Sequence, residues 1–267
     1  MFSLAAGPVA GFIELPSGVN LHYAVQGRTD GEPVVLLHGV GDSWRSFELT
    51  LPHIPDRYRV YALSLRGHGS SDAPQAGYTH QDFAGDVIAF LESMNLRGVT
   101  LVGHSMGSFV AQAVAARDAG RIRALVLVGS GPGGALRVDT EMRAAFETMS
   151  RNPQYARDFQ SSMAHQPVPA AFLETTIEAA ATVPSHAWAQ LGDVVHSAET
   201  EAGLAAIKVP TLLIWGDRDG LVVREDQDAL VRKIKGARLI VYPATGHVPH
   251  WEYPERFAAD LVAFISS

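Results

Sequence analysis

Eight short apolar runs, the last six nearly continuous and mostly set apart by longer stretches of helical spacing, restrict this chain to one architecture. It should be a mostly parallel sheet with helices on both faces, since only strands covered on both sides read as unbroken apolar runs. The first two, Gly11–Leu15 and Asn20–Val25, are joined by Pro-Ser-Gly-Val and read as an antiparallel pair. The others are Pro33–Leu37, Tyr58–Leu63, Val99–Val102, Ala124–Val128, Thr211–Trp215 and Arg238–Tyr242. Helices are expected over Thr79–Met94, Ser105–Ala119, Arg224–Ile234 and Pro254–Ile265; in the last, Phe257, Leu261 and Phe264 share one face.

Strand-like runs stop between about Gly134 and Gly203. Helical spacing takes over at Met142, Phe146 and Met149, at Leu173 and Ile177, and at Trp188, Leu191 and Val195, while Pro153 and Pro169 sit where helix starts tolerate proline. The sequence therefore divides into a sheet core over 1–133, a helical insertion over 134–203, and the rest of the core over 204–267. Long insertions at strand ends usually carry function, so the insertion is expected to cap a site, with plain packing on the core as the alternative.

Composition narrows the function. The chain has no cysteine, which excludes a disulfide scaffold, a cysteine nucleophile and cysteine-based zinc sites. A formal charge of −7 without a basic run argues against nucleic acid or an anionic membrane as partner. No stretch approaches the roughly 18 apolar residues of a membrane span, and the start lacks the pattern of a signal peptide, so a cytoplasmic protein is expected. Neither a metal nor an organic cofactor is implied, because His-Glu-x-x-His, P-loop and dinucleotide motifs are all missing. The expected partner is a small-molecule substrate, and monomer and homodimer both stay open.

The chemistry centres on Gly103-His104-Ser105-Met106-Gly107, which follows one strand run and opens a helix. A serine at the tip of so sharp a turn needs strained backbone angles, and the neighbouring chains must approach without side chains. The turn also sets Ser105 at a helix N-terminus, where free N–H groups favour negative charge. By itself the pentapeptide also describes any glycine-rich turn; its place between strand and helix favours the catalytic reading.

Further segments, in order, make the chain similar to the α/β-hydrolase superfamily. His38-Gly39-Val40-Gly41-Asp42-Ser43-Trp44 resembles the family's His-Gly oxyanion loop, and Leu65-Arg66-Gly67-His68-Gly69-Ser70-Ser71 its loop after the next strand, with Ser64 where an Asp is common. Trp215-Gly216-Asp217-Arg218-Asp219 resembles the acid loop, and Thr245-Gly246-His247 the histidine loop. The resemblance implies an α/β-hydrolase fold with a helical cap. It implies Ser105 as nucleophile, Asp219 as orienting acid and His247 as base, in the family order of nucleophile, acid, histidine. Backbone N–H groups of Val40 and Met106 would form the oxyanion hole.

Competitors for these roles are expected elsewhere. Of the 11 histidines, His104 should diverge from Ser105, His38 and His68 should serve as structural hydrogen-bonding groups, and His250 is a candidate for lining the pocket. Asp217 should brace its loop, and Gly129–Gly134 should form a hinge into the cap. Phe159, Met163, Phe172 and Trp188, with Val222 and Val248, offer apolar surface for a pocket, although packing explains any one of them equally well. A serine nucleophile argues against epoxide opening and dehalogenation, which use a carboxylate on this scaffold. The leading reading is hydrolysis of a carboxylic ester or lactone through an acyl-enzyme. C–C hydrolysis, thioester cleavage and perhydrolysis use similar parts, and a small-molecule receptor of the same fold is the reading from another class.

Overall fold

The computed structural model describes residues 7–132, 144, 146, 148–149, 152–194 and 203–267. It has one eight-stranded sheet: β1 (Val9–Glu14), β2 (Asn20–Gln26), β3 (Glu32–Leu37), β4 (Tyr58–Leu63), β5 (Val99–His104), β6 (Ile122–Val128), β7 (Thr211–Gly216) and β8 (Arg238–Tyr242). Their order in space is β1-β2-β4-β3-β5-β6-β7-β8. β2 pairs antiparallel with β1 and β4, and every other pairing is parallel. This is the mostly parallel sheet, opened by an antiparallel pair, that the apolar runs predict.

Alternation along the buried strands feeds two cores. From β3, Val35 and Leu37 join Phe83, Phe90 and Phe109 of α1 (His80–Ser93) and α2 (Met106–Arg117). Val34 and Leu36 point the other way, into a cluster with Phe257 and Leu261. The helix start at α1 is fixed by a reciprocal cap: Thr79 Oγ1 accepts from the Asp82 N–H, and the Asp82 carboxylate accepts from the Thr79 N–H. Below it, Arg66 makes a buried bidentate pair with Asp86 at 2.6 Å and donates to the Gly77 carbonyl, so the Arg66–Gly69 loop is held as a structural brace.

Between β6 and β7 the described residues form helices and no strand. These are α3 (Pro153–Ser162), α4 (Ala170–Thr182) and α5 (Ser185–Val194). Pro153 is the first residue of α3, whose N-cap Asn152 accepts from the Gln154 N–H; Pro169 caps α4. Leu173 and Ile177 lie on α4, and Trp188 and Leu191 on α5, whereas Met142, Val195, Gly134 and the boundary expected at 133/134 lie outside the described residues. The chain closes with α6 (Arg224–Lys233), the single turn α7 (Pro249–Glu252) and α8 (Pro254–Ile265). No helix among the described residues is long and apolar enough to cross a membrane.

In a parallel sheet, loops leaving the carboxyl ends of neighbouring strands meet along one edge. The loops after β3, β5, β7 and β8 carry His38–Asp42, Ser105, Asp219 and His247 to that edge.

Candidate active site

Ser105 is a structural exception. Its φ of 51° and ψ of −121° lie where residues other than glycine are rarely held, at the junction of β5 and α2. The turn closes only because its flanks lack side chains. A Cβ on Gly103 would stand 2.2 Å from the Gly107 carbonyl oxygen, and one on Gly107 would stand 2.5 Å from those of Leu37 and His38. On the facing loop, a Cβ on Gly39 would come 3.2 Å from the Ser105 Cβ, so the two loops touch at the serine. Met106 begins α2 and is buried; an N–H in the first turn has no partner in the helical ladder.

His247 and Asp219 form a buried pair. His247 Nδ1 donates to Asp219 Oδ2 at 2.8 Å, and Nε2 has no hydrogen-bond partner among the described residues. The other Asp219 oxygen accepts from the Leu221 and Val222 N–H groups at 2.8 and 3.1 Å. Asp217, two residues earlier, has a side chain 37% exposed and 3.8 Å from Arg218. Of the two carboxylates, Asp219 is the one that reaches the imidazole. On its other side His247 abuts Gly129, where a Cβ would stand 3.0 Å from the ring; Gly129, at φ 52°, leaves room for the base, and Gly133 and Gly134 lie outside the described residues.

A carboxylate holds the histidine loop from behind. Glu252 accepts from the N–H groups of Gly246 and Gln166, and the His247 N–H donates to the Met163 carbonyl at 2.8 Å. The loop after α3 is thereby tied to the Gly246–His247 backbone.

Ser105 and His247 border one cavity of about 20 Å³, space for roughly one water molecule. Among the apolar residues expected there, Phe159, Met163 and Val248 line it. Phe172, Trp188 and Val222 stand behind the lining. Phe172 packs edge-on against Trp251, Trp188 lies against Phe146 and Phe159, and Val222 belongs to the main core. Val40 lines the cavity, and so do Asp42, Gln160 and Trp251, which the sequence does not single out. Met163, Leu221 and His247 also border a second cavity of about 250 Å³.

The remaining histidines sort by partner. His104 borders the cavity, its ring 5.0 Å from that of His247 and its Nε2 3.1 Å from the His247 carbonyl. His38 donates to the Gly39 carbonyl and accepts from the Leu65 N–H, and His68 Nδ1 meets the Arg66 carbonyl, so both brace loops. His250 is buried against Phe47 and Trp251 rather than lining the cavity. Burial lowers the pKa of His104 well below the ordinary value, and that of His250 to about 3. No group of three or more metal-ligating side chains occurs among the described residues.

Residues 34–260 match the profile of the alpha/beta hydrolase family. The chain is 30% identical over 284 residues to a non-heme chloroperoxidase from Streptomyces lividans, covering 96% of this chain and 100% of the relative. It is 26% identical to a 2-hydroxymuconate semialdehyde hydrolase from Pseudomonas sp. (strain CF600), over 88% and 87% of the two chains. Among solved structures, an esterase (EaEST) from Exiguobacterium antarcticum superposes with a TM-score of 0.89 at 25% identity, covering 97% of this chain and all of that one.

Proposed function

The chain belongs to the alpha/beta hydrolase family, and from that premise we propose that it is a serine hydrolase cleaving a carboxylic ester or lactone of a small, largely apolar substrate. One observation carries the reading: Ser105, on its strained turn, borders the same cavity as a histidine whose far nitrogen is held by a buried carboxylate.

The steps follow from that arrangement. His247 Nε2 accepts the Ser105 hydroxyl proton as Oγ attacks the substrate carbonyl. Asp219 keeps the imidazole in the tautomer that has a free lone pair at Nε2 and stabilises the cation that forms. The N–H groups of Met106 and Val40 receive the developing oxyanion, a contribution worth roughly 100- to 1000-fold in rate per donor. His247 returns its proton to the leaving alkoxide. Water deprotonated by His247 then attacks the acyl-Ser105 carbonyl, releases the acid and restores the serine.

The test compares wild type with Ser105→Ala on p-nitrophenyl esters of graded acyl length. Turnover by wild type and background rates for the variant support the reading, and the chain-length profile sizes the pocket. Equal rates for both proteins overturn ester hydrolysis by Ser105. Cleavage of a C–C bond is the second reading, favoured by the likeness to the semialdehyde hydrolase; it employs the same three residues.

A further inference from the structure

Among the described residues the cavity wall holds a single Asp or Glu, Asp42, and no lysine or arginine. Asp42 sits in the loop after β3, two residues past Val40, and is buried. Its Oδ1 accepts from the Ser43 N–H at 2.8 Å, and the nearby Ser46 side chain favours its ionised form. Ser46 Oγ in turn accepts from the Trp251 indole N–H at 3.1 Å and lies 3.1 Å from His250 Nε2.

Two neutral donors compensate a buried carboxylate poorly. Burial pushes its pKa up to about 7, and the hydrogen bonds from Ser46 and Ser43 pull the other way. His104 borders the same cavity, and His250 is reached through Ser46, but burial keeps both rings neutral, so neither supplies a counter-charge. Among the described residues no lysine or arginine pairs with it, and a carboxylate acceptor therefore stands in the cavity wall beside the serine and the imidazole.

We propose that Asp42 is a specificity-determining residue, which accepts a hydrogen bond from a hydroxyl or protonated amine on the substrate and rejects substrates that bring a carboxylate into the cavity. This deepens the ester-hydrolase reading of the same site and rests on it. The buried part of the substrate is then uncharged or cationic and carries a donor opposite Asp42.

Three p-nitrophenyl esters of equal reach test this at pH 8.5, where the carboxyl is ionised: the hexanoate, the half-ester of adipate, and the 6-aminohexanoate. Wild type should favour the hexanoate over the adipate half-ester by roughly 10- to 100-fold in kcat/KM, and the aminohexanoate over the adipate half-ester by more. Asp42→Asn should collapse both ratios, with Asp42→Ser as a second variant should the first not fold. Binding of hexanamide, adipamate and 6-aminohexanamide to the Ser105→Ala protein, with and without Asp42→Asn, reads the same order by calorimetry without turnover. Equal treatment of anion and neutral by wild type, ratios unchanged in the variants, or a flat order in binding overturns the proposal. Loss of all ester turnover together with a charge order in binding that depends on Asp42 removes the hydrolase reading but upholds the role of Asp42.

Discussion

His247 Nδ1 and Asp219 Oδ2 lie 2.8 Å apart, although 28 residues separate them and they leave two different strands. The carboxylate is fixed independently of the histidine, since its other oxygen takes the N–H groups of Leu221 and Val222. The acid is therefore held by its own loop as well as by the imidazole.

Asp219→Asn isolates that function. The amide oxygen can still hold the Leu221 and Val222 N–H groups, but its NH₂ faces His247 Nδ1 and favours the wrong tautomer. Ester turnover should fall by about 10³ to 10⁴ with little loss of Tm. Asp217→Asn, altering an exposed side chain, should leave kcat close to wild type. Comparable losses in the two variants would contradict the assignment of Asp219.

Strain at the nucleophile makes a stability prediction. Holding a non-glycine residue at φ 51° and ψ −121° costs about 1–3 kcal/mol. Ser105→Gly relieves part of this, partly offset by the greater chain entropy of unfolded glycine. The variant should be inactive on esters yet at least as stable as Ser105→Ala in urea unfolding. A glycine variant clearly less stable than the alanine variant would show that the turn is not strained.

Much of the sheet and its catalytic edge can be read from the chain. β3, β5 and β6 are buried on both faces, so they appear as unbroken apolar runs, and the steric demand of the turn at Ser105 writes itself as glycine at 103 and 107. The pocket is less legible. Phe159 and Phe172 are alike as letters; which one faces the cavity depends on how α3 and α4 seat on the core. Asp42 looks like any loop aspartate until the packing of Trp251 and His250 around Ser46 buries it. His104 is drawn to the cavity by a contact with a residue 143 positions away, which no local pattern records.

Acid sensitivity should come partly from His80. Its ring is buried edge-on to Phe109, neither nitrogen has a hydrogen-bond partner among the described residues, and burial lowers its pKa to about 4. The unfolded chain takes up a proton near pH 6.5, whereas the folded chain resists until about 4. Stability is therefore full above 6.5 and is lost as pH falls through that window, by up to about 3 kcal/mol from this residue. His80→Leu should flatten the fall in unfolding free energy between pH 7.5 and 4.5. An unchanged slope would place the acid sensitivity elsewhere.

The most direct test of the central claim is covalent. Wild type is treated with a fluorophosphonate, followed by intact mass and peptide mapping. A Ser105 that attacks with the help of His247 gives one adduct, located on Ser105, absent in Ser105→Ala and formed far more slowly in Asp219→Asn. A wild-type protein that stays unlabelled, or an adduct that persists in Ser105→Ala, would contradict the account.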